Sequence, residues 1–126
     1  MPISIDYDPE KNVLYSKAAG DISIEDIMAY YSKIERLDLK PGYSVLADYT
    51  EAGIDDIGCN EIARMVERRR RLHREVHPVK IAAVAKSDLV FGMAKMYQAM
   101  IGEEPVDVNV FRDQEKALQW LDIPNI

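Results

Sequence analysis

Cysteine is nearly absent from this 126-residue sequence: Cys59 stands alone. An internal disulfide and a cysteine-based zinc site are therefore excluded. Histidine occurs only twice, at His73 and His77, which leaves few ways to build a transition-metal centre. Positive charge is in deficit, 16 basic residues against 22 acidic ones, for a formal net charge of -6. That balance argues against a general nucleic-acid or anionic-membrane binder. No apolar run approaches the roughly 20 residues of a membrane span. The opening Met1-Pro2-Ile3-Ser4-Ile5 has no basic region followed by an apolar stretch, so no signal peptide is expected. Phosphate loops, dinucleotide fingerprints and nucleophile elbows are missing too. What is present is a globular composition, 48% hydrophobic and 30% charged, in a length that fits one domain over residues 1–126. A cytoplasmic α/β domain with no metal and no cofactor is the expectation.

The pattern along the chain divides it into nine elements. Residues 3–7 alternate, with Ile3, Ile5 and Tyr7 on one side and Ser4 and Asp6 on the other, as in a half-buried strand. A turn over 8–12 with Pro9 and Asn12 leads to a second strand, 13–18, making an antiparallel hairpin. Ser23 is a good N-cap for an amphipathic helix over 24–36, with Glu25 and Asp26 in its first turn. An apolar strand follows over 43–49, then an acidic loop over 50–58 with Gly53 and Gly58. A long helix is expected over 59–75 and a nearly continuous apolar strand over 79–85, the signature of a central parallel strand. Ser87 caps a helix that ends at Gly102. A strand over 106–111 and a helix over 114–121, starting at Asp113, close the chain. The order β-β-α-β-α-β-α-β-α, with right-handed crossovers, predicts a mixed, mostly parallel sheet with sequentially wound helices on one face.

Several segments together resemble the SpoIIAA-like family, related to the STAS domains of bacterial anti-sigma-factor antagonists. They are the opening hairpin, Gly20-Asp21-Ile22-Ser23, Val45-Leu46-Ala47-Asp48 and Lys80-Ile81-Ala82-Ala83-Val84-Ala85. To these belong Val110-Phe111-Arg112-Asp113 and Ala117-Leu118-Gln119-Trp120-Leu121. The resemblance implies a mixed sheet with helices wound in sequence, a fold shared with lipid-carrying CRAL-TRIO domains. The best-understood relatives are phosphorylated on a serine in a stretch near Asp-Ser-Ser-Gly at the entry to the second helix. Here that stretch reads Asp55-Asp56-Ile57-Gly58-Cys59, with counterparts for the aspartate and glycine but none for the serine. The implied role is a non-enzymatic regulatory or protein-interaction domain without the conventional phosphoacceptor.

The residues single out a few candidate surfaces. Asp48, Glu51, Asp55 and Asp56 gather where open α/β sheets collect ligands. They read either as a cation or partner surface or as a solvated loop. Thr50 is the hydroxyl nearest to them. Six of the eight arginines lie in the second helix, where Cys59–Val76 sets six of them against three glutamates. Most form a solvated basic face, but Arg69 falls at 100° per residue inside the stripe of Ile62, Val66, Leu72 and His73. A buried guanidinium must snorkel or meet a carboxylate or ligand, and Asp48 or another loop carboxylate is the expected partner. His73 and His77 have ligand spacing but no third ligand, and Cys59 reads as a buried or inert thiol.

In the third helix, Leu89, Met93, Met96, Tyr97 and Met100 are expected to face the core, with Val90 and Ile101 widening the stripe and Phe91 opposite, available for contact with a second copy. Two readings of function follow: a regulatory module that contacts a protein or itself, and a binding module for a small apolar or amphipathic ligand. An enzyme, with Asp48, Asp56 and Arg69 as its best constellation, comes third, because no acid–base or nucleophile pair is assembled.

Overall fold

The computed structural model describes residues 2–72, 79–102 and 106–123. The five strands are β1 (Ile3–Asp8), β2 (Val13–Ile22), β3 (Ser44–Ile54), β4 (Val79–Val84) and β5 (Val106–Phe111). The four helices are α1 (Ile24–Glu35), α2 (Cys59–Leu72), α3 (Asp88–Ile101) and α4 (Gln114–Leu121). The strands lie in chain order in one sheet, with β1 antiparallel to β2 and β2 to β5 all parallel. The element order is the expected one.

Local chemistry sets the helix starts. Ser23 accepts from the Asp26 amide while the Asp26 carboxylate accepts from the Ser23 amide, a reciprocal capping box. Ser87 accepts from the Val90 amide at α3, and Asp113 from the Glu115 amide at α4. Gly102 ends α3 at φ 75°, in the left-handed region that glycine tolerates best.

The three crossovers carry α1, α2 and α3 onto one face of the sheet, as right-handed connections in a sheet wound in one direction would. There Leu14, Val45, Ile81 and Val108 pack with Ile27, Ile34, Ile62, Val66 and Ile101. The final helix departs from the one-face expectation. Among the described residues no strand follows it, so no crossover within them sets its side. Ala117 and Leu121 instead pack on the opposite face against Leu46, Ala82 and Val84, with Phe111 and Trp120 at the edge. This explains the nearly continuous apolar sequence of β4, which is buried on both sides. The polar face of the opening hairpin, with Ser4, Asp6 and Lys17 exposed, needs no such cover.

A second departure shapes the region that matters most. The acidic segment after residue 49 is mostly strand, because β3 continues to Ile54 and β2 to Ile22. Lys17 pairs with Asp48 but Ala19 pairs with Glu51, so β3 carries one extra residue. This is a β-bulge, which bends the strand pair. Beyond it, Ala19–Ile22 and Glu51–Ile54 form a two-stranded arm past the end of β4.

The expected buried stripe of α3 holds only in part. Val90, Tyr97 and Ile101 are buried, whereas Leu89 and Met100 are exposed. Apolar residues surround this helix on most sides, so periodicity alone does not choose the buried face. The expected end of the second helix, Arg74-Glu75, and the pair His73 and His77 lie outside the described residues.

Candidate functional site: an apolar cavity with a buried arginine

Period-two alternation places Tyr43, Val45, Ala47 and Tyr49 on the α1–α3 face of β3. Tyr30 and Tyr31 reach this face from α1, and Tyr97 from α3. They meet around Arg69 of α2. Five of the chain's seven tyrosines, Tyr30, Tyr31, Tyr43, Tyr49 and Tyr97, act electrostatically on that one guanidinium.

Arg69 is 3% exposed, as the helical stripe predicts. Its guanidinium carbon is 4.9 Å from the centroid of the Tyr31 ring and 5.9 Å from that of Tyr30. The electron-rich ring faces offset part of the cost of removing the cation from water. Burial by itself works against the charge, but the surrounding tyrosines more than compensate and hold Arg69 protonated well above the ordinary arginine range.

Burial likewise raises four of these phenols, since it disfavours the phenolate. Tyr43 is pushed up to about 12, with Arg69 pulling the other way. Tyr31, Tyr49 and Tyr97 are raised for the same first reason. Tyr30 shares a 2.6 Å hydrogen bond with Ser16, the inward-facing hydroxyl of β2.

Beside this cluster lies a cavity of about 90 Å³. Ala47, Ile81, Ala83 and Val108 form its floor on the sheet, and Ile27, Ile62, Met65, Val90 and Met93 form its helical walls. Ile22, Ala52, Gly53 and Ile54 of the arm close one side. The partly exposed lining residues Tyr49, Ala52, Gly53, Ile54, Met65, Met93 and Ala94 mark its outer side. Arg69 and Tyr97 are at the buried side. The cavity sits toward the C-terminal ends of the parallel strands, the edge where ligands of open α/β sheets bind.

The expected Asp48–Arg69 pair does not form. Asp48 follows Ala47 by one residue and so faces the opposite side of the sheet, beside Tyr15, Leu46 and Gln114. Its Oδ1 accepts from the Thr50 amide at 2.9 Å and from the Thr50 hydroxyl at 2.6 Å. Asp48 and Thr50 thus hold the bulge that starts the arm. Glu51 pairs with Lys17 at 2.7 Å on the surface. Asp55 and Asp56 are exposed, and Asp56 adopts a left-handed backbone with φ 54°. The acidic quartet therefore does not converge on Arg69 or on the cavity.

Ile57 is buried in the cavity wall. Among the described residues no group of three or more His, Cys, Asp or Glu side chains could hold a metal ion, and no described helix is long and apolar enough to cross a membrane.

The other arginines of α2 have surface roles. Arg68 forms an ion pair with Glu35 of α1. Arg70 donates to the carbonyls of Met100 and Ile101 at 3.2 and 2.9 Å, supplying the positive charge that the last turn of α3 lacks. Cys59 is exposed, which removes burial from the expected buried or inert thiol, because the start of α2 lies at the surface; its Sγ is 3.7 Å from the Met96 sulfur. Phe91 is half-buried, with the Arg112 guanidinium carbon 4.0 Å above its ring and Asp88 holding Arg112 at 2.8 Å.

A sheet wound in one direction, backed by three helices and enclosing an apolar cavity, defines an α/β domain whose distinctive chemistry is internal. A family profile described as SpoIIAA-like matches residues 13–122, and the chain belongs to the SpoIIAA-like family. Among solved structures it is similar to an uncharacterised protein of Shewanella loihica PV-4, from the DUF3478 family, with a SpoIIAA-like fold. The two share 21% sequence identity, with 94% of this chain and 93% of that chain covered and a TM-score of 0.62. That likeness shows the fold. No curated protein matches the chain.

Proposed function

We propose that this chain is a non-enzymatic SpoIIAA-like domain that works by holding a small, largely apolar or amphipathic molecule between its sheet and helices α1–α3. The observation that carries this reading is the cavity of about 90 Å³, apolar except for its buried arginine and phenols. Protein interiors pack like organic crystals and leave few voids larger than a water molecule. An apolar lining with a few convergent polar groups, toward the strand C-termini of an α/β sheet, has the character of a binding site. The separation of Asp48 and Asp56 from Arg69 supports a role without catalysis.

Native mass spectrometry of protein purified from cells without denaturation tests the reading. A retained small mass that organic extraction removes is the expected result. A bare chain whose spectra also stay unchanged when small apolar compounds are added would count against it.

A regulatory domain that contacts a protein is the second reading. The observation that favours it is Leu89, 59% exposed at the start of α3 beside Phe91. The partner proposed is a second copy of the chain. Leu89→Glu should then weaken association in sedimentation without changing the fold, whereas a wild-type monomer at high micromolar concentration would contradict it. The absence of a serine in the 55–59 stretch supports regulation by occupancy or contact and not by the family's serine phosphorylation.

A further inference from the structure

The polar groups of the cavity are unevenly placed. Among the described residues that line it, Arg69 is the one charged side chain; the rest are apolar or phenolic. A guanidinium presents five N–H donors in a rigid plane. Arg69 can therefore keep its present contacts and still donate to a ligand oxygen. Tyr97 adds a second donor. Its hydroxyl is buried, and no described residue stands in hydrogen-bond geometry with it, although Tyr31 and Arg69 are near enough to act on it. Buried hydroxyls in native structures are almost always satisfied, by protein, water or ligand. A cationic donor and an open hydroxyl donor at the buried side of an apolar cavity match an anionic acceptor with an apolar tail.

Size narrows the class. A cavity of roughly 150 Å³ accommodates benzene, so about 90 Å³ encloses a small head and a few carbons. A phosphate head would bring more charge than one guanidinium balances, whereas a carboxylate matches the guanidinium in charge and planar geometry. The rest of a short chain would pass between Tyr49, Met65 and Met93, whose partial exposure marks the outer side. Methionine and its flexible thioether adapt to chains of differing shape.

Resting on the small-molecule reading above, we infer that the cavity takes a short aliphatic monocarboxylate, its head on Arg69 and Tyr97 and its tail toward Met65 and Met93.

Isothermal titration of the full chain with pentanoate and with neutral pentanamide tests this. Pentanoate should bind about tenfold or more tightly than pentanamide, the ratio expected when a charge-assisted bond is lost. Arg69→Met should remove that preference while keeping pentanamide binding. Tyr97→Phe, which deletes only the hydroxyl and leaves the ring in place, should weaken pentanoate several-fold and carries the test if the arginine variant does not fold. Equal binding of the two compounds to the wild type would overturn the carboxylate inference and leave the cavity reading standing. Binding of neither would overturn both. Unchanged pentanoate affinity in a folded Tyr97→Phe would overturn the placement of the head.

Discussion

The guanidinium of Arg69 lies over the ring of Tyr31, 4.9 Å from its centroid, in the interior of the domain. This cation–ring contact joins α2 to α1 at the edge of the cavity. Desolvated contacts of this kind contribute roughly 0.5–2 kcal/mol. A double-mutant cycle with Arg69→Met and Tyr31→Leu, read by urea unfolding, should therefore return a coupling of about that size. Strict additivity would mean that the ring merely fills space beside the arginine.

Arg70, one residue on, has a different job from the solvated role its position on the helix suggests. It bonds the last carbonyls of α3. Arg70→Ala should lower stability by about 0.5–1 kcal/mol, in the range of a lost helix-terminus interaction. Arg71, which is exposed, serves as the control, and Arg71→Ala should change stability by less. Equal effects of the two substitutions would contradict the capping role.

The tyrosine cluster predicts alkaline sensitivity. Tyr43 has its folded value pushed up to about 12, whereas an unfolded tyrosine titrates near 10. The folded chain therefore holds the phenolic proton more tightly. Its stabilising effect is complete below about pH 10 and is lost as pH rises from there toward about 12. Unfolding followed by circular dichroism should show stability falling across that window, and less steeply in Tyr43→Phe. A flat profile in the wild type would contradict the burial of the phenol.

Much of the local architecture was legible in the sequence because it depends on near neighbours. Ser23, Ser87, Gly102 and Asp113 mark helix ends through bonds made within a few residues. The burial of Arg69 was legible too, because helix geometry fixes its angle relative to Ile62 and Val66. Its partner was not. The tyrosines come from three elements far apart in the chain, and only the two-residue period of Tyr43, Val45, Ala47 and Tyr49 hinted that two of them share a face. The same period places Asp48 on the other face. The arm was hidden because Glu51, Gly53, Asp55 and Asp56 have loop composition, while the strand pairing that overrides it is made with distant β2. The side taken by α4 had no local signal, since among the described residues no strand follows it.

Asp48 receives a structural assignment from this geometry. Its side chain holds the Thr50 amide and hydroxyl at the bulge. Asp48→Asn keeps an acceptor and should be nearly silent in thermal unfolding. Asp48→Ala leaves both donors without it and should cost about 1 kcal/mol. Equal losses in the two variants would show that the charge, and not the turn, is what matters.

Ligand binding in the cavity is the central proposal, and methyl NMR during a pentanoate titration tests it most directly. The two faces of the sheet supply separate reporters. Ile54, Ile62, Met65 and Met93 line the cavity, while Leu46, Ala117 and Leu121 pack on the opposite face. The account predicts saturable shifts in the first group and little change in the second. Saturable shifts confined to the second group, or none in either, would contradict it.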